Sequence, residues 1–489
     1  MRSPLSHFGI RLPLFLLFGF VYLLIFAIDS SPISSITGWD NSIWRIIGRG
    51  WTQGFIPYRD LWDNKGPYQL LIYVIGYLIN PGKWGVFILE IINFSFVLEL
   101  LYRIGRLYTS SWKKLTVAFG CFLLFFVGTA GGDGQTEEWS LCFTLLSLLL
   151  YLKYEKSRFI NHPYSYTFVY GLCAGVVLLI RPNNAYIIAA VILALIVEYI
   201  WDKRFRQLLM HGLTFLGGVA TTTLPMVAYF YMHNALYDMY YALYLFYDNY
   251  LGHCNVFYRI CNQVPYFSVV IVLLLSKVFF DTEKCKIKSN LLYFMLILLF
   301  FPGFPTRNTY DHYYLIIAPL FFMIPLFFDN LYISKNKIMA ICFVMLSFLP
   351  FYQKIYYNVV GNYGLKNEQV REIIKNHRLP LTDHQRETDR IMALIPWGER
   401  KDIFYYEFHG NLDAIIASGE SPCMRFFASQ KLTMRYSHVA KSEILAWLKF
   451  HRPLWIITYV DPDELISPVL EDYDYVTSYE KGAVFRLKE

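Results

Sequence analysis

The residues able to do chemistry are concentrated in a few polar stretches. The longest, residues 38–67, reads GWDNSIWRIIGRGWTQGFIPYRDLWDNKGP and sets Asp40, Asp60 and Asp63 among the cations Arg59 and Lys65. An ionised aspartate can take the proton of a hydroxyl as a general base. Arg and Lys can hold a phosphate through charge-assisted hydrogen bonds. The same residue types return at Asp133, Glu137 and Glu138 in GGDGQTEEW, and at Arg181, Asn183 and Asn184 in IRPNN. They return again at Arg307, Tyr310, Asp311 and His312 in TRNTYDHYY. Such a set would suit attack by a hydroxyl on a carbon whose leaving group is a phosphate.

The elements that must position these groups are apolar helices. The 489-residue chain is 56% hydrophobic and 19% aromatic, more than a soluble chain of this length needs. Apolar runs of roughly 17–25 residues, enough to span a bilayer as helices, recur as far as about Tyr352. A β-barrel would instead show short alternating segments. The net charge of +7 comes from Lys and Arg clustered in short loops, as the positive-inside rule expects. No basic stripe tracks a nucleic-acid backbone, and no nucleic-acid partner is expected. The eight cysteines show no metal-ligand spacing. Cys121, Cys142, Cys173 and Cys342 read as small core residues, and Cys254 and Cys261 share one loop where a disulfide is open.

The reading is an α-helical polytopic membrane protein of about eleven crossings. The N-terminal apolar run, about 12–28, lacks a small-residue cleavage site and reads as a retained first helix. With Arg2 and Arg11 before it, the N-terminus is placed in the cytoplasm. PYQLLIYVIGYLI is too short to cross and reads as an interfacial helix. Each Lys/Arg-rich loop then falls inside, and each acidic, aromatic loop falls outside. From residue 358 the chain turns charged, with short β-rich runs alternating with amphipathic helical stretches (KDIFYYEF, SEILAWLKFH, LWIITYV, YDYVTSYEKGAVFRL), as in a small α/β domain. The expected domains are a transmembrane domain, 1–357, whose first outer loop is 29–83, and an extracytoplasmic α/β domain, 358–489. The expected location is the plasma (inner) membrane.

Every unusual polar group then falls on the outer side. Ionised groups beside hydrocarbon cost several kcal/mol unless paired or hydrated, so the pattern predicts a shared polar cavity there. Glycosyl transfer from a lipid-linked sugar fits it, with a carboxylate base, an oxocarbenium-like state and a prenyl phosphate leaving group stabilised by cations.

The order of features resembles the GT-C glycosyltransferases of the protein O-mannosyltransferase and aminoarabinose transferase type, bacterial family 39 above all. The resemblance rests on Asp40 soon after the first helix, GFIPYRDLWDNKGP, TEEW, LLIRPN and RNTYDHYY. It runs from about Leu12 to Tyr352, with a soluble outer tail that family members often carry. It implies an inverting hexosyl- or pentosyltransferase, set in the lipid bilayer, that uses a polyprenyl-phosphate sugar donor and a glycan, lipid or protein acceptor at the extracytoplasmic membrane face. It places the catalytic acid on Asp40. Arg59, Lys65, Arg181, Arg307 and His312 become candidates for holding the lipid phosphate, with Asp60, Asp63, Glu137, Glu138 and Tyr310 as further substrate-binding candidates. Many relatives pair two acids at the first position, whereas Asn41 follows Asp40 here. A divalent metal is therefore disfavoured, and no cofactor is expected.

Each residue also has a plainer role. Asp40 could cap the helix NSIWRIIGRG, and Asp60 and Asp63 could shape the turn before NKGP. Lys65 could snorkel, Glu137 and Glu138 could favour a helix start, and Arg181 could end a helix before Pro182. His312 could be a satisfied interfacial histidine. The alternative function is a flippase or transporter of lipid-linked sugars, but such proteins place polar groups near the midplane of broken helices, and here the charges lie at one face.

Overall fold

The computed structural model describes residues 4–35, 38–129, 132–246, 256–280, 287–303, 310–327, 345, 348, 351–376, 381–407, 412–428, 430–458, 466–479 and 482–488. Helices dominate. In chain order they begin α1 (Pro4–Phe26), α2 (Trp39–Thr52), α3 (Pro67–Ile79), α4 (Lys83–Tyr108), α5 (Trp112–Gly128), α6 (Thr136–Lys156), α7 (Tyr164–Leu178), α8 (Tyr186–Trp201) and α9 (Phe205–Met232). Among the described residues, three segments are long and apolar enough to cross a membrane: α4, Pro182–Trp201 and α9. Arg11–Phe26, Tyr164–Leu178, Gln263–Val278, Lys288–Gly303 and Asp311–Phe327 form shorter apolar helices. PYQLLIYVIGYLI is α3, only 13 residues. Large apolar side chains point outward along these helices, among them Leu17, Leu78, Leu213, Leu216, Leu224 and Leu298. Water would penalise such a surface, and lipid would not.

The chain divides into two compact units. The first joins 1–27, 88–226 and 254–365. Its helices pack by close approach and aromatic contact. A Cβ on Gly171 of α7 would stand 2.1 Å from the Phe215 carbonyl oxygen of α9, so only glycine lets these two backbones touch. Phe125 of α5 stacks on Phe321 with ring centroids 3.9 Å apart. Cys121 and Cys173 are buried as expected; Cys342 lies outside the described residues, as does Cys254, while Cys261 is exposed.

The second unit joins 28–87, 227–253 and 366–489. Its sheet has the order β1-β2-β4-β3. β1 (Ile403–Tyr406) runs parallel to β2 (Trp455–Thr458). β4 (Gly482–Leu487) is antiparallel to β2 and to β3 (Tyr473–Tyr479). All four residues of β1, at the sheet edge, and of β2, inside it, are buried, as continuous apolar runs predict for strands covered on both faces. The stretch SEILAWLKFH lies in the helix His438–His451, between β1 and β2 in the chain. α2 packs on α3 at Gly48, where a Cβ would meet the Tyr73 backbone at 2.8 Å. Arg49, on the buried face of α2, donates to the carbonyls of Ile415, Ile416 and Glu420. That fastens the first loop to the C-terminal segment. Trp62 adds a backbone bond to the Arg425 carbonyl, 2.9 Å, and an aromatic nest of Tyr241, Phe246 and Phe426.

Candidate functional site

The second unit holds the first-loop residues. α2 starts at Trp39, and its N-cap is Gly38, with no side-chain cap bond. Asp40 therefore lies inside the first turn and is not the cap. A Cβ on Gly38 would fall 1.7 Å from Asp29 Oδ2, so a side chain there would have to push that carboxylate aside. The Asp40 carboxylate is half-buried, and among the described residues no hydrogen bond or ion pair engages it.

Asp63 accepts a hydrogen bond from Trp44 Nε1 at 2.8 Å, so α2 orients it. Lys65 Nζ donates to Asn64 Oδ1 at 3.0 Å, and the Lys65 carbonyl accepts from Tyr58 Oη at 2.7 Å. Asp63 stands in the loop outside the apolar helices. Burial raises its carboxyl above the usual range, the Lys65 charge lowers it, and the Asp40 charge raises it again. The folded state thus holds this proton more tightly than the unfolded chain, where a carboxyl titrates near about pH 3.9. Stability falls as pH climbs from there through the folded value. Asp63→Asn keeps an oxygen for Trp44 and removes that loss. Its melting temperature is expected to equal that of wild type in acid and to exceed it at neutral pH. A lower melting temperature at neutral pH would contradict this account.

Arg59 and Asp60 form a separate feature. Arg59 Nε and Nη2 each reach Asp60 at 2.8 Å, and Nη1 donates to the His233 carbonyl at 2.9 Å. Asp60 also accepts the Ile56 N–H at 2.7 Å. This closes the turn in which buried Tyr58 holds a left-handed φ of +68°, a conformation that persists only where its surroundings fix it. The turn-shaping reading of Asp60 has direct bonds behind it, and Arg59 is already matched by a carboxylate.

The first unit holds the other candidates. Glu137 is 1% exposed and Arg181 7%, and Arg181 Nη1 meets Glu137 Oε1 at 2.5 Å. The guanidinium also lies over the Tyr313 ring, 3.8 Å from its centroid. Arg181 is the N-cap of the 3-10 turn Pro182–Ala185, and Asn184 in that turn donates to Ser140 Oγ of α6 at 3.0 Å. Glu138 accepts from the Gly132 and Gly134 N–H groups at 2.9 and 3.2 Å. Glu90 shares the Gly134 N–H at 2.9 Å. These bonds shape the turn that carries Asp133 between two glycines of positive φ. Asp311 accepts from Tyr266 Oη and from Lys354. Tyr310 is exposed and stacks on His312. Arg307 lies outside the described residues.

Reasoning from sequence passed over Glu90, whose signal was an acid inside the apolar run KWGVFILEIINF. It also passed over Asp29, Asp238 and Glu443, which carry no local pattern. Among the described residues, no group of three or more His, Cys, Asp or Glu is placed to hold a metal ion.

No family model and no curated protein matches the chain. Solved structures match its fold. ArnT from Cupriavidus metallidurans bound to undecaprenyl phosphate aligns over 99% of this chain and 98% of that one, with a TM-score of 0.59 and 11% identity. The apo state of the same protein aligns over the same shares, with a TM-score of 0.60 and 12% identity. At such identity the likeness is one of fold. The chain shares the fold of ArnT along nearly its whole length, as the resemblance in its motifs implied.

Proposed function

We propose that the protein is a membrane glycosyltransferase that moves a sugar from a polyprenyl-phosphate donor to an acceptor hydroxyl. The observation that carries this reading is the likeness of fold along nearly the whole chain to an ArnT that holds undecaprenyl phosphate. Asp40 supports it as an unengaged carboxylate at a helix start. In the proposed step, Asp40 takes the acceptor proton. The freed oxygen bonds to the anomeric carbon from the face opposite the phosphate. The bond from that carbon to the phosphate oxygen breaks, its electrons leave on the phosphate, and the configuration inverts. Lys65 is our first candidate for the cation beside that phosphate, because Arg59 already faces Asp60. Arg181, held by Glu137, is the second.

Asn41 denies Asp40 an adjacent carboxylate partner, so we take the step to be metal-independent. We also propose about eleven crossings, a cytoplasmic N-terminus and an extracytoplasmic C-terminal domain in the plasma membrane, from the Lys/Arg-rich loops. The test is sugar transfer by the purified, lipid-reconstituted chain given a panel of polyprenyl-phosphate sugars, with and without chelator. Turnover that survives chelator supports the reading. Absence of transfer with every donor, alongside movement of the lipid sugar between leaflets, would favour the flippase instead.

A further inference from the structure

A groove of about 470 Å³ opens in the second unit, beside the C-terminal end of α2. That is within the size range of ligand pockets. Its polar lining comes from Gln53, Arg59 and Asp60 of the first loop and from Arg425 and Glu443 of the C-terminal segment, with Trp447 as an apolar wall. These residues are brought together only by folding, since the two stretches are more than 350 positions apart.

The charges in the lining cancel. Arg59 pairs with Asp60 through two 2.8 Å bonds. Arg425 reaches Glu443 at 2.6 Å and Asp238 at 2.8 Å. Neither guanidinium is left to draw a phosphate, and neither groove carboxylate is left to draw a cation. Hydrogen-bonding capacity remains. Each paired carboxylate oxygen keeps further lone pairs. Gln53 accepts from Ser421 Oγ at 2.8 Å through its Oε1, which turns its NH₂ donors away from that contact. A neutral ligand rich in hydroxyls, each both donor and acceptor, matches such a surface, and the indole wall suits the apolar face of a sugar ring.

We propose that this groove binds an uncharged glycan and serves as an outlying acceptor subsite, holding sugar units remote from the reacting hydroxyl, since Asp40 stands at the other end of α2, about 20 Å away by helix rise. The acceptor role rests on the glycosyltransferase reading; the binding does not. The full chain in nanodiscs, without donor, is titrated with mannobiose and chitobiose by ligand-observed NMR. Glucose 1-phosphate and an uncharged Gly-Ser-Thr peptide are run beside them. Saturable binding of a neutral disaccharide is expected. Gln53→Leu should weaken it roughly tenfold, the loss of one hydrogen bond, as should Glu443→Gln, while Asp40→Asn leaves it unchanged. Trp447→Ala serves as a third probe with its folding checked by melting. Absence of disaccharide binding, tighter binding of the sugar phosphate or of the peptide, or indifference to Gln53→Leu and Glu443→Gln would each overturn the proposal. Transfer by wild type without disaccharide binding sinks the groove alone. Binding without transfer from any donor sinks the acceptor role and leaves the glycan site standing.

Discussion

Asp40→Asn is expected to cut sugar transfer on the order of 10²- to 10⁴-fold, the share a positioned general base contributes. Asparagine matches aspartate in shape but cannot take the acceptor proton. The substitution should also leave the fold intact. Gly38 caps α2, so no cap is lost, and no described residue pairs with the Asp40 carboxylate. The change should therefore appear in kcat with donor KM nearly constant, since the proton moves only in the transition state. Melting in detergent should match wild type. If transfer survives at more than a tenth of the wild-type rate, Asp40 is not the base. If the melting temperature falls with the activity, the residue holds the helix and its chemical role is lost with it.

The second large effect concerns stability. Arg181 and Glu137 form an ion pair in which both partners are almost wholly removed from solvent. Removing one partner leaves an uncompensated buried charge, which costs about 3–5 kcal/mol. Arg181→Leu and Glu137→Leu should each lower the melting temperature strongly. Replacing both together should restore much of the loss, because a well-packed apolar pair of similar volume is often neutral or better. The double variant also separates structure from chemistry. If it melts like wild type and transfers sugar normally, the pair is only a brace for the turn Pro182–Ala185. If it melts like wild type and transfers poorly, the guanidinium serves the reaction. Equal melting of both single variants and wild type would mean that the pair is not desolvated in the membrane.

Much of the architecture was legible from residue order. Apolar runs of bilayer length announce helices because the backbone has no other way to satisfy its hydrogen bonds in lipid, and α4 and α9 lie where such runs stand. The alternation of β-rich and amphipathic stretches after residue 358 announced strands and helices there, and the structure has a small sheet and the helix His438–His451 in that region. Asp40 was legible as an acid at a helix start, and the motifs around it pointed to the fold that the chain shares with ArnT.

Pairing was not legible. Asp40 and Asp60 look alike in sequence, yet one is unengaged and the other is clasped by Arg59 and the Ile56 amide. Glu137 and Glu138 are neighbours, yet one meets a guanidinium and the other binds glycine amides. Nor did residue order tell that Arg49 and Trp62 would join the first loop to residues 415–425. Hydropathy and periodicity are local sums along the chain, so they report what each segment must bury. Which charge meets which depends on segments hundreds of residues apart arriving at the same few ångströms, and only the tertiary structure decides that.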